Sequence, residues 1–485
     1  MSNPRRNFIY NIIYQSLSLV IPLISAPYLA RVIGADGVGV YSYTFSIVNY
    51  FMLLTMLGVN NYGNRSIAKV RDDKDRLSRT FFSIFYVQLF MGVIMLLLYT
   101  LYILVFGGQF VVYLVIESLF IISAILDINW YFFGTEQFKK TITRNSIIKI
   151  ATLLLIFILV KNKNDLWKYT LIMGSMTLLS QSIMWFFLKK EIRKVAVSKK
   201  DILKHIKPDL LLFVPVIAVS LYKIMDKIML GALSGVAEVG YYENAEKIIG
   251  IPLALISALG TVMLPRISNL FAKGKANKAK EYITKSTSFI MFLSLPMCAG
   301  LIGTGKIFAP LYFGQEFEKT GILIMMLAGT LPFMAFANIL RTQYLIPSEK
   351  DRIYIVSVFL GAMVNLAMNI IFIPKLGSIG ACIGTISAEF IVMAYQALKV
   401  RKELPVLQYL VQAVPFILKA ATMLIIIYPL NYIPLNNWLR LGIQVMSGIS
   451  LYCLLNLKYI KDNIDIQKIL KRKSKPEPTM DSQYN

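Results

Sequence analysis

One histidine and three cysteines among 485 residues leave little material for metal chemistry. His205 stands between Lys204 and Lys207 with no second imidazole anywhere in the chain, which excludes a histidine-built zinc or haem site and a histidine proton relay. Cys298, Cys382 and Cys453 lie inside apolar stretches without a CxxC-type partner, so neither a disulfide framework nor a thiolate metal centre is indicated. Charge is scarce too, at 16% of residues. Segments of about ten residues alternating in polarity, the mark of a membrane β-barrel, are missing. A Walker A sequence is also missing: GLIGTGK, from Gly300 to Lys306, continues into Ile307 where Ser or Thr is required, so ATP hydrolysis by that route is excluded.

What remains is apolar. Hydrophobic residues make up 56% of the chain and the mean hydropathy is +0.62, more apolar surface than a soluble core can bury. Runs bounded by charge, Gly or Pro fall near residues 8–30, 40–60, 80–105, 110–133, 145–161, 168–188, 208–231, 240–262, 286–305, 321–342, 353–373, 379–398, 410–432 and 440–457. Each is long enough to cross a hydrocarbon layer of roughly 30 Å as a helix. The first follows Arg5 and Arg6 and is too long for a signal-peptide core, so it reads as an uncleaved helix. The expected fold is an all-α polytopic membrane protein of about 14 transmembrane helices.

The formal charge of +25 is spread over short loops, which argues against nucleic acid and for topology and anionic lipid heads. Counted in alternate loops, Lys and Arg number 38 on one side and 8 on the other. The rich side, both termini included, is expected in the cytoplasm. Its most basic loop, 189–207, separates two blocks of six spans. At a constant offset of 201, Gly39 matches Gly240, Tyr41 matches Tyr242 and Arg65 matches Arg266. An even number of spans per repeat relates the blocks by an axis along the membrane normal, an arrangement that encloses a midplane cavity and allows alternating access. The expected organisation is an N-terminal bundle at 1–188, a basic cytoplasmic linker at 189–207, a C-terminal bundle at 208–398, two supernumerary helices at 399–457 and a disordered cytoplasmic tail at 458–485.

Three stretches resemble a known family. Pro27-Tyr-Leu-Ala-Arg31-Val-Ile-Gly34-Ala-Asp-Gly37-Val-Gly39-Val-Tyr41, then Asp226-Lys-Ile-Met-Leu-Gly231 with Glu238-Val-Gly240-Tyr-Tyr-Glu-Asn-Ala245-Glu-Lys-Ile, then Leu264-Pro265-Arg266-Ile-Ser268 are similar to Wzx-type polysaccharide flippases of the multidrug/oligosaccharidyl-lipid/polysaccharide superfamily. The resemblance implies a V-shaped cavity between spans one to six and seven to twelve. It also implies a non-enzymatic role: moving undecaprenyl-diphosphate-linked oligosaccharide units outward across a bacterial cytoplasmic membrane, for capsule, exopolysaccharide or O-antigen assembly. Partners would be the lipid-linked substrate, membrane lipids, and a polysaccharide polymerase with its chain-length machinery. No cofactor is expected.

Ionisable groups inside spans cost roughly 2.5–3.5 kcal/mol each at a helix centre, so each is a candidate for function. A diphosphate needs cations in a wet cavity; Arg31, Lys223, Lys227 and Lys247 are available on the core helices, with Lys223 and Lys227 on one face at i, i+4. Asp226 lies on the adjacent flank, in reach of either lysine. Lys149 reads as snorkelling and Lys419 as lipid-facing or packed on span fourteen. For coupling to a proton or sodium gradient the candidates are Asp127, Asp226, Glu246 and Glu389, with structural ion pairs as the competing use of these carboxylates. Trp130, Tyr131, Phe132 and Phe133 read as interface aromatics. Arg31→Ala and Lys227→Ala are each expected to impair transport without lowering membrane abundance. Two other functions compete. An ion-coupled drug or cation exporter would have a net acidic cavity, and a membrane-embedded glycosyltransferase or polymerase would need a sizeable outer loop with an acidic motif, whereas the expected outer loops are short.

Overall fold

A computed structural model describes residues 4–463 apart from 190; the side chains of residues 4–16, 19, 215, 218 and 221–223 lie outside that description. Arg5, Arg6, Pro215, Lys223 and most of the expected tail therefore fall outside the described residues as side chains or altogether. Among the described residues every regular element is helical. The order is α1 (Pro4–Met56), α2 (Val59–Ala68), α3 (Lys74–Phe106), α4 (Val111–Ile125), α5 (Asn129–Gly134), α6 (Phe138–Leu159) and α7 (Leu166–Leu188). Then follow α8 (Lys199–Leu233), α9 (Val236–Ala272), α10 (Ala276–Phe313), α11 (Glu318–Ala328), α12 (Leu331–Ile339), α13 (Asp351–Leu376) and α14 (Ser378–Val400). Last come α15 (Val406–Ile427), α16 (Asn437–Leu455) and α17 (Leu457–Asn463).

Twelve stretches among the described residues are long and apolar enough to cross a bilayer, against the expected fourteen or so. The difference sits at two places. Val20–Ala68 counts once although α1 is two helices that meet at Gly34, whose φ of 72° belongs to the left-handed region a side chain disfavours. α8, 35 residues long and carrying Asp201, Lys204 and Lys207 in its early turns, is not among the twelve. Its start is a capping box in which the Ser198 and Asp201 side chains each accept from the other's backbone N–H.

Apolar packing falls into groups along the chain. Three clusters join α1 to α7, around Trp130, around Tyr169 and around Tyr99. Two more join α8 to α17, and the one around Tyr242 also takes Ala26, Ala30 and Ala35 from α1. α15 and α16 pack on α10. There Lys419 donates to the Asn456 side chain at 3.0 Å, which settles it as a packing contact beside α16. The aromatic run is corrected: Trp130, Tyr131 and Phe132 are core residues, because Gly63 lets Trp130 lie flat on α2 while its indole N–H reaches Gln88 and the Asp127 carbonyl.

Candidate functional site

α1 and α9 cross where Gly39 and Gly240 face each other. A Cβ on Gly39 would stand 1.8 Å from the Val236 carbonyl oxygen, and one on Gly240 would stand 2.1 Å from that of Ala35. Positions 35 and 236 carry the same offset of 201 as 39 and 240, so the contact is reciprocal, backbone against backbone. Around it, at the end expected to face outward, lie polar links. Arg31 Nη2 donates to the Leu311 carbonyl at 2.7 Å, the Ala35 N–H donates to Glu316 at 3.2 Å, and Lys319 pairs with Glu238 at 2.5 Å. Tyr312 donates to the Leu23 carbonyl. This end is closed.

Below the seam a cavity of about 600 Å³ opens, walled by both halves of α1 and by α6, α7, α8 and α9. The bend at Gly34 makes this possible, since it returns Ser42, Phe45 and Asn49 to the same space as Ser18, Pro22 and Ser25. Glu243, Glu246 and Lys247 share a face of α9 at i, i+3 and i+4. Lys227 from α8 reaches across to two of them, at 2.6 Å to Glu243 and 2.9 Å to Glu246. Lys247 pairs with Glu243 at 3.3 Å, and Ser42 donates to the same carboxylate at 2.8 Å. Two lysines and two carboxylates thus form one charged knot at the cavity wall.

The expected cations separate accordingly. Lys227 and Lys247 line the cavity, Lys223 lies outside the described side chains, and Arg31 sits at the seam, outside the cavity lining. Lys149, read as snorkelling, faces the cavity and donates to Ser18 at 2.6 Å. The pairing of Asp226 with Lys227 is corrected. Successive residues on a helix point about 100° apart, and this turn sends Asp226 to the far side of α8. There, 2% exposed, it accepts from Asn369 at 2.6 Å, Thr385 at 2.8 Å and Tyr242 at 2.9 Å. Asn365 in turn accepts from Asn369. A carboxylate held by neutral donors from α9, α13 and α14 is a different object from one in an ion pair.

Of the other coupling candidates, Glu246 belongs to the knot, Asp127 accepts from the Asn129 N–H at 2.8 Å at the turn into α5, and Glu389 is buried on α14 outside the cavity lining. Sequence reasoning passed over Arg144, counting it as a loop charge. The structure places it in the second turn of α6, 5% exposed, where it donates to Asn129, Asn145, Gln181 and the Ser180 carbonyl. Its clue was the polar run Arg144-Asn145-Ser146 heading an apolar span.

The polysaccharide biosynthesis protein family model matches residues 5–271, more than half of the chain. The chain belongs to this family. It is also similar to a candidate O-antigen transporter of Escherichia coli (strain K12), 24% identical over 402 residues that cover 82% of this chain and 96% of that one. A counterpart from Shigella dysenteriae is 22% identical over 81% of this chain and 98% of its own length. The fold matches that of a lipid II flippase, MurJ, in an inward closed conformation, with a TM-score of 0.78 at 16% identity, over 94% of this chain and 100% of that one. An inward-facing multidrug transporter of the MATE family aligns with a TM-score of 0.57 at 14% identity, over 81% of this chain and 98% of its own. The likeness to Wzx-type flippases read from the three motifs is thereby borne out, and this family member is a multi-pass membrane protein.

Proposed function

We propose that the chain is a flippase for lipid-linked oligosaccharides, moving undecaprenyl-diphosphate-linked repeat units from the cytoplasmic to the outer leaflet of a bacterial membrane. The observation that carries the reading is the placement of Lys149, Lys227 and Lys247 on one cavity, beneath a seam that closes the opposite end. An arriving diphosphate competes with Glu243 and Glu246 for the lysines, so binding loosens the knot that ties α8 and α9 to Ser42 on α1. Loosening at that point favours opening of the seam one turn away, which is alternating access expressed in bonds.

In this reading residues 1–188 and 208–398 are the two moving bundles, 189–207 is the cytoplasmic linker, and 399–457 are supernumerary. Asp226 is the coupling carboxylate we favour, because its donors are neutral hydroxyls and amides that serve a protonated or a cation-bound carboxyl alike. The drug-exporter reading draws less support, since Glu243, the carboxylate of the knot that lines the cavity, already holds two lysines. A polysaccharide polymerase would take over the exported unit.

The test is reconstitution of the full chain in liposomes with a labelled lipid-diphosphate oligosaccharide, scoring its exposure to an added glycosidase. Exposure should rise with the protein and fall at least tenfold in Lys227→Ala; exposure equal in protein-free vesicles removes the flippase reading. With Asp226→Asn, dependence on an imposed proton or sodium gradient should vanish, and a gradient response like the wild type would take Asp226 out of coupling.

A further inference from the structure

We propose that the inner part of the cavity holds a subsite for a neutral sugar, built by Arg144 and the amides of Asn129, Asn145 and Gln181. The proposal rests on the flippase reading and names the part of the cargo that the lysines do not address.

A guanidinium has donors only, so any amide beside it must turn its oxygen inward. Arg144 Nη2 donates to the Asn129 oxygen at 2.8 Å and the Asn145 oxygen at 2.7 Å, and Nη1 donates to the Gln181 oxygen at 3.2 Å and the Ser180 carbonyl at 2.7 Å. Each amide orientation is thereby fixed. The Asn129 NH2 is used within the set, donating to Gln181 at 3.2 Å. Among the described residues the NH2 groups of Asn145 and Gln181 have no acceptor, and both residues line the cavity. Arg144 is thus a positioning residue, 5% exposed, that aims two neutral donors into open space.

The surroundings agree with a sugar. Gln181 also lines a second cavity of about 230 Å³ that shares Asn49 and Thr177 with the first and runs on to Asn60 and Asn61. This wall offers amides and hydroxyls, with Asp127 the carboxylate beside it. Asn145 precedes Lys149 by four residues on α6, one helical turn or about 6 Å. A diphosphate at Lys149 therefore sets the first sugar against Asn145 and Gln181. Neutral NH2 groups suit hydroxyl or acylamino oxygens, and the positive charge behind them is already met by four oxygens.

The experiment uses the full chain in lipid nanodiscs and two probes, undecaprenyl diphosphate and undecaprenyl-diphosphate-N-acetylglucosamine, with affinities read by native mass spectrometry. Asn145→Asp and Gln181→Glu keep the oxygen that Arg144 needs and remove the NH2; Gln181→Met removes the NH2 and the oxygen together without adding charge. Each is expected to lose about three- to tenfold in affinity for the sugar-bearing probe, the range of one hydrogen bond. Gln181→Met should bind the bare diphosphate as the wild type does, whereas Lys227→Ala should weaken both probes alike. An unchanged sugar-probe affinity in Gln181→Met, or an equal loss for both probes, overturns the subsite. A wild type that binds neither probe overturns the flippase reading instead.

Discussion

α1 and α9 touch twice, one turn apart, and the two contacts are made of opposite materials. At Gly39 and Gly240 the helices meet backbone to backbone with no room for a methyl group. At Ser42 and Glu243 they meet through a charged network that continues to Lys227, Glu246 and Lys247. The first contact is steric and indifferent to what enters the cavity, while the second consists of groups that an anionic ligand can reclaim. A transporter that must stay shut when empty and yield when loaded gains from having both on one helix pair.

The largest effect should come from breaking the charged contact. Lys227→Ala takes the cation from Glu246 and leaves Glu243 with Lys247 and Ser42, at a cost of about 1.5–3 kcal/mol for the charged hydrogen bonds lost. The ion pairs thus change what the residue type alone suggests: membrane abundance should drop together with transport, and the double change Lys227→Ala with Glu246→Gln should restore part of the abundance on an immunoblot. Abundance at the wild-type level in the single variant would mean that the knot is dispensable.

Next is the steric contact. Gly39→Ala or Gly240→Ala should disfavour the closed seam by about 1–3 kcal/mol, the range for overpacking. Cysteine probes in the cavity should then label from outside several-fold faster than in the parent, and Gly250→Ala, where nothing lies within 4 Å, should behave as the parent. Equal labelling rates in all three variants would show that the seam is not the gate. Arg31→Ala removes one hydrogen bond to Leu311 beside that seam, worth about 0.5–1.5 kcal/mol, and should raise the same labelling more modestly while leaving substrate affinity intact.

The smallest effect concerns the opposite end, where α2 packs on the start of α8 and Tyr62 meets His205 Nδ1 at 2.6 Å. Burial, helped by Lys204 and opposed by Asp201, pushes the His205 imidazole down from near 6.5 to about 4. Between those values the detached chain binds a proton that the packed chain does not, so the contact is at full strength above about 6.5 and weakens as pH falls toward 4. Protection of α2 amides, with the intrinsic pH dependence of hydrogen exchange divided out, should fall from pH 7 to pH 5 in the wild type and show no such fall in His205→Gln.

Much of the architecture was legible beforehand because membrane insertion reads length and apolarity, which are local properties. The offset of 201 was legible as well, although its meaning, a reciprocal contact that includes the unremarked pair Ala35 and Val236, was not. At the site, Lys227 and Lys247 were found by charge in apolar runs. Arg144 was missed because the charge count took it as the end of a loop at 134–144, whereas its neighbours in space, Asn129 and Gln181, come from α5 and α7. Asp226 and Lys227 were paired because they adjoin in sequence, yet consecutive helical residues face different elements.

The sequence by itself determined an all-helical chain that lives in lipid, its family through the motifs around Gly34, Gly240 and Pro265, and the scarcity of buried charge that makes each such residue worth weighing. Only the tertiary structure decided which charges meet: that Glu243 ties Lys227 to α1, that Asp226 is held by neutral donors, and that Arg144 donates to the oxygens of three amides. The reason is physical. Partition into a membrane sums over one segment, while the partner of a buried charge is chosen by the crossing of helices far apart in the chain.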